Sequence, residues 1–150
     1  MNKLDELAIE ELDYVKECVT VDEDEVNSEF ARLPTDLAYW NKLYSRAVRD
    51  EMATKLNYKK VYAERSQVLR EELKESGKVT EAMLESAVQM DVAYQQAYLK
   101  HIDAVERKTE IFGWIDAIKS KKDALVTLGA NIRAERKEPS INKEEDSWIK

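Results

Sequence analysis

Residues that make turns are scarce: the 150 residues include 3 glycines and 2 prolines. A β-rich fold needs a turn signal every 8–12 residues or so, and this chain cannot supply them. One cysteine, Cys18, excludes an internal disulfide and a cysteine-held metal cluster. One histidine, His101, excludes the paired-histidine metal motifs and leaves little room for a nucleophile–histidine–acid arrangement. Glycine-rich phosphate loops are missing as well. No run of about 18 apolar residues is present, so no membrane span is expected. The start, Met1-Asn2-Lys3-Leu4-Asp5-Glu6, lacks the apolar core of a signal peptide. The expectation is a soluble cytoplasmic protein that needs no cofactor and is not an enzyme. His101 reads as a surface residue and Cys18 as a small buried apolar one.

What remains is the composition of long helices, with 37% of residues charged. Leu4, Leu7, Ile9, Leu12, Val15 and Val19 mark a short amphipathic helix that ends in the acidic run Asp22–Glu25. Pro34-Thr35-Asp36 reads as a stop followed by a helix cap. From Asp36 to Ser76 there is neither glycine nor proline, and Leu37, Trp40, Tyr44, Val48, Met52, Leu56, Tyr62, Leu69 and Leu73 recur at three-to-four-residue spacing. Gly77 suits the end of that helix, and Thr80, with Glu81 and Glu85 behind it, begins a third. The third helix reads as continuous to about Arg136, with Gly113 and Gly129 as candidate kinks. So short a turn folds the two long helices back on each other. The predicted fold is all-α: a long antiparallel helical hairpin plus a short N-terminal helix.

Charge divides the chain into three parts. Residues 1–33 carry 11 acidic and 3 basic side chains, residues 34–137 carry 16 and 19, and residues 138–150 carry 4 and 2. The division predicts an acidic N-terminal segment (1–33), a mildly basic hairpin domain (34–137) and a flexible acidic tail (138–150), in which Glu144-Glu145-Asp146-Ser147-Trp148 could dock through its aromatic ring.

The most suggestive constellation lies on the second helix. Lys42, Arg46, Arg49, Lys55, Lys59, Lys60 and Arg65 face only Asp50, Glu51 and Glu64 as acids, and Tyr39, Trp40, Tyr44, Tyr58 and Tyr62 are interleaved. Single-stranded nucleic acid is held by cations that follow the phosphates and by rings on which bases stack. Trp40 and Tyr44 sit on the apolar stripe and read as core; Tyr58, beside Lys59 and Lys60, reads as an exposed ring. Lys119, Lys121 and Lys122, then Arg133, Arg136 and Lys137, form a second basic cluster. The plain alternative is a solvated helix face whose cations balance nearby acids.

The third helix outreaches the second, and Ile111, Phe112, Trp114, Ile115 and Ile118 place bulky groups on more than one face. A homo-oligomer is therefore expected, with Phe112, Trp114, Ile115, Ile118 and Leu125 at its interface.

Trp40 to Arg65, with Asp50-Glu51-Met52 and Lys59-Lys60-Val61, followed by Trp114-Ile115-Asp116-Ala117-Ile118-Lys119-Ser120-Lys121, Leu128-Gly129-Ala130 and Ile132-Arg133-Ala134, resembles the phage recombination mediators of the UvsY type. The resemblance implies a helical hairpin that assembles into a ring of roughly six to eight subunits. It also implies sequence-independent binding of single-stranded DNA, with contacts near Lys59, Lys60 and Arg65, and partnership with a phage recombinase and a single-strand-binding protein in the host cytoplasm. The family's pattern is more basic and aromatic where this chain has Glu64, Ser66, Glu71 and Glu72. Two other classes fit the composition: a structural or adaptor coiled-coil protein of the phage assembly type, and an acidic inhibitor of a DNA-handling enzyme.

Overall fold

A computed structural model describes residues 3–137, with side chains from residue 10 onward. The expected tail, with Trp148, and Leu4, Leu7 and Ile9 lie outside the described side chains. Four helices, and no strand among the described residues, follow in order: α1 (Lys3–Val19), α2 (Val26–Lys74), α3 (Glu81–Met90) and α4 (Val92–Glu135). The two long helices α2 and α4 pack together. At 1.5 Å per residue, the 49 residues of α2 extend about 73 Å.

The turn at Gly77 is as expected. Ser76 N–H donates to Leu73 O at 3.0 Å and Gly77 N–H to Lys74 O at 3.2 Å, and Gly77 has φ +130, where a side chain would be strained. Thr80 caps α3, its hydroxyl accepting from Met83 N–H at 3.3 Å.

Two boundaries differ from the sequence expectation. The helix read as starting after Pro34 starts at Val26 and continues through the proline. Proline costs that helix one main-chain hydrogen bond, but packing outweighs the loss: Val26, Glu29 and Leu33 are buried on the turns before it. The helix read as continuous from Thr80 is broken at Asp91. Asp91 N–H donates to Val88 O at 3.0 Å, closing α3, while its carboxylate accepts from Tyr94 N–H at 3.1 Å, opening α4. Gly113 and Gly129, the predicted kinks, lie inside α4. An aspartate that caps the next helix overrides the local apolar rhythm, whereas a glycine merely weakens a helix that its neighbours hold.

Two compact units result: residues 1–34 with 117–150, and residues 35–116. The N-terminal segment up to Pro34 groups in one unit with the described residues from Ala117 on.

The first unit brings together three helical segments. Val15 and Cys18 of α1, Val26 and Leu33 of α2, and Ile118 and Leu125 of α4 are its buried apolar residues. An ion pair between Glu29 and Lys121 lies among them, the lysine side chain only 2% exposed. Arg32 reaches Glu17 at 3.1 Å on the surface, linking α2 to α1.

The second unit is a hairpin of α2 against α3 and α4. Its α4 seam, Tyr94, Ala97, His101, Ala104, Lys108, Ile111 and Ile115, alternates three- and four-residue steps, the spacing of coiled-coil packing. Much of it is aromatic. Tyr58 meets Tyr98 edge-on at 5.3 Å and Tyr62 meets Tyr94 at 5.6 Å, while Trp40 packs on Trp114 at 5.0 Å. Two helices cannot enclose a seam from all sides, and tyrosine suits such a place because it buries a ring while its hydroxyl stays wet.

Candidate nucleic-acid interface

All eight residues expected to contact DNA lie on α2 within the second unit, but the helix separates them. At 100° per residue, Lys42, Arg46, Arg49 and Lys60 fall within about 60° of arc. That arc is opposite Trp40, Ala47, Tyr58 and Arg65, the side turned toward α3 and α4. Lys42, Arg46, Arg49 and Lys60 are exposed. Among the described residues the first three make no ion pair; Lys60 lies 3.7 Å from Glu64. Lys55 and Lys59 are also exposed, on the flank of the helix rather than on that line.

Tyr58 and Arg65 belong to the inner face. Tyr58 was expected as an exposed stacking ring, but it is half-buried between Tyr98 and His101, its ring 5.3 and 5.0 Å from theirs. Arg65 donates from Nε to Asp91 Oδ2 at 2.9 Å, with a second guanidinium nitrogen at 2.8 Å. It clamps the break between α3 and α4, and the guanidinium beside Asp91 holds that carboxyl below the usual carboxylate range, aided by the Tyr94 and Ala93 N–H groups. Tyr58 and Arg65 are seven positions apart, so the two share a face and both point at the partner helix.

The other rings of the segment are engaged as well. Tyr39 lies 5.1 Å from Trp40, Trp40 lies 5.0 Å from Trp114, and Tyr44 lies 6.0 Å from Phe112. Each ring in the cation-rich stretch therefore has a ring partner inside the protein. His101, expected at the surface, is half-buried in the same seam, its Nδ1 3.2 Å from Thr54 Oγ1.

Glu51 and Lys108 join α2 to α4 at 2.6 Å. The ammonium holds Glu51 below its ordinary value, and the carboxylate in turn raises Lys108. Burial, and the neighbouring Tyr98, Tyr58 and Tyr62, raise the Tyr94 hydroxyl.

The second basic cluster divides too: Lys121 is spent on Glu29, while Lys119, Lys122, Arg133, Arg136 and Lys137 are exposed. Of the residues expected between subunits, Ile115, Ile118 and Leu125 are buried within the single chain. Ile118 and Leu125, in the overhang that suggested an interface, group with α1 and with the turns of α2 before Pro34 in one unit. Trp114 is half-buried on Trp40 with Arg107 over it at 5.1 Å. Phe112 alone of the five remains largely open, 55% exposed.

Family models, curated proteins and solved structures give no match to this chain. No helix among the described residues is long and apolar enough to cross a membrane.

Proposed function

We propose that the protein is a non-enzymatic single-stranded-DNA-binding accessory factor that helps a phage recombinase load onto DNA covered by single-strand-binding protein, acting as a homo-oligomer in the host cytoplasm. The observation that carries the reading is the outward line of Lys42, Arg46, Arg49 and Lys60, three of them without an ion pair among the described residues. The resemblance to UvsY-type mediators supplies the biological setting. With the aromatic rings engaged inside the hairpin, the line offers charge rather than stacking, which suits sequence-independent contact with phosphates.

The test is fluorescence anisotropy of a labelled single-stranded oligonucleotide at increasing salt. Four phosphate contacts predict a slope of log K against log salt of about −3, and reversal of Lys42, Arg46 and Arg49 should flatten it. No binding at about 50 mM salt, or binding without a salt slope, defeats the reading.

A second reading is favoured by the cations that do have partners. Arg65 with Asp91, Arg70 with Glu81 and Lys108 with Glu51 all tie one helix to another. An adaptor or scaffold built of helical hairpins would need those pairs and no DNA. It predicts normal assembly and no oligonucleotide shift.

A further inference from the structure

On α4, beside the seam that faces α2, runs a second stripe: Tyr98, Ile102, Val105, Thr109 and Phe112, with steps of four, three, four and three residues. On α2 a matching stripe runs through Val48, Met52, Lys55, Lys59 and Tyr62, with the same steps. Contacts of Tyr44 with Phe112, Tyr58 with Tyr98 and Tyr62 with Tyr94 fix the register and put both stripes on one side of the hairpin. This side is open and largely apolar: Met52 is 67% exposed, and Ile102, Tyr98 and Tyr62 are also exposed. A helix with two coiled-coil stripes is built for a bundle of more than two helices. In the first unit the chain provides a third helical segment itself, namely α1; in the second, among the described residues, none covers this side.

We infer that a second copy of this chain packs on the side of the hairpin formed by Val48–Tyr62 and Tyr98–Phe112, with α2 of each copy lying along α4 of the other. The inference rests on the assembly part of the function proposed above and gives that assembly a surface, different from the buried Ile115, Ile118 and Leu125. Three features select a second copy over a foreign helix. The two stripes have the same spacing and overlap in level over most of their length, so a two-fold axis parallel to the helices lays the shared part of one upon the other, as an isologous interface requires. The rims are complementary: Arg49 borders the α2 stripe, Glu106 borders the α4 stripe, and the register sets Arg49 level with Glu106. The exposed apolar residues offer on the order of 500 Å² per copy, more than half of the roughly 800 Å² per partner in a standard interface, and the rims supply the remainder.

The experiment is light scattering coupled to size exclusion at tens of micromolar, on the full chain and on the double variant Met52→Glu/Ile102→Glu. The full chain is expected at no less than twice its 17.4 kDa mass, and the double variant at the monomer mass with its helical circular dichroism retained. Should the double charge prevent folding, Met52→Gln/Ile102→Gln gives the same readout with less disturbance. A monomeric full chain overturns the assembly reading and this inference together. An oligomer that persists in a folded double variant overturns this surface alone. Mixing Arg49→Glu with Glu106→Arg tests the orientation: each variant is expected to dissociate several-fold more readily than the parent, and the mixture to regain the parental mass. A mixture no larger than its components overturns the pairing of α2 with α4.

Discussion

The two units solve one problem, burying the apolar face of a long helix, with different numbers of helices. Where α1 joins α2 and α4, branched aliphatic side chains and Cys18 disappear from solvent and even a lysine–glutamate pair is enclosed. Where α2 meets only α3 and α4, Trp40, Val88, Ile111 and Ile115 are buried as well, but the middle of the seam is lined by tyrosines and a histidine, and large apolar residues such as Met52 stay exposed. A third helix closes the side of a seam, and the residues beneath it lose their contact with water. Without it, the seam takes amphipathic rings and the ion pairs at its edge stay half-wet. The difference teaches that around Tyr58 and His101, where no third helix covers the seam, amphipathic rings take the place that aliphatic side chains hold beneath α1.

The largest expected effect comes from the enclosed pair. Lys121→Ala leaves the buried Glu29 without its ion-pair partner, and should destabilise the protein by about 3–5 kcal/mol in urea titration. Replacing both, Lys121→Met with Glu29→Leu, should be neutral or stabilising by about 1–4 kcal/mol. A single lysine variant that costs under about 1 kcal/mol would remove the contrast between enclosed and half-wet pairs.

Next come truncations in the two interiors. Leu125→Ala, in the three-helix unit, should cost about 2–5 kcal/mol. Tyr98→Ala, at the edge of the hairpin seam, should cost about 1–2 kcal/mol, because the ring is already partly in water and loses mainly its aromatic contacts. Equal losses would show that the two seams are equally closed.

Acid should separate the units. Asp91 and Glu51 are both held below the usual carboxylate values, so each stabilises the hairpin fully above its unfolded value of about 4 and loses that contribution as pH falls through the lowered folded value. The protection factors against hydrogen exchange at residues 54–66, each corrected for the intrinsic rate at its pH, should therefore fall at about pH 3 relative to neutral pH. Asp91→Asn should weaken the hairpin at neutral pH and reduce this dependence on acid.

The smallest effects concern single glycines. Gly77→Ala should destabilise by about 1–2 kcal/mol, since its φ of +130 is costly for any residue with a side chain. Gly113→Ala has open space for the new methyl group and lies within α4, so it should stabilise by about 0.5–1 kcal/mol. Thermal melts of the two variants, shifting in opposite directions, would check both.

The sequence by itself determined the fold class, the turn at Gly77 and the cap at Thr80, because few glycines and prolines, a helical rhythm and a threonine before two glutamates are local facts. It also marked the cations of α2. Only tertiary structure decided which of them face outward, since a helix returns to the same side every three or four residues and the sequence does not say which side meets the partner. The path of α2 through Pro34 was likewise decided by the burial of Val26, Glu29 and Leu33 against other segments. The break at Asp91 had a legible signal, an aspartate able to cap the residues after it, but what fixes it is Arg65, 26 residues earlier in the chain. Long-range contacts of this kind outweigh one missing main-chain hydrogen bond or one favourable apolar step, which is why the ends of the helices were harder to read than the helices.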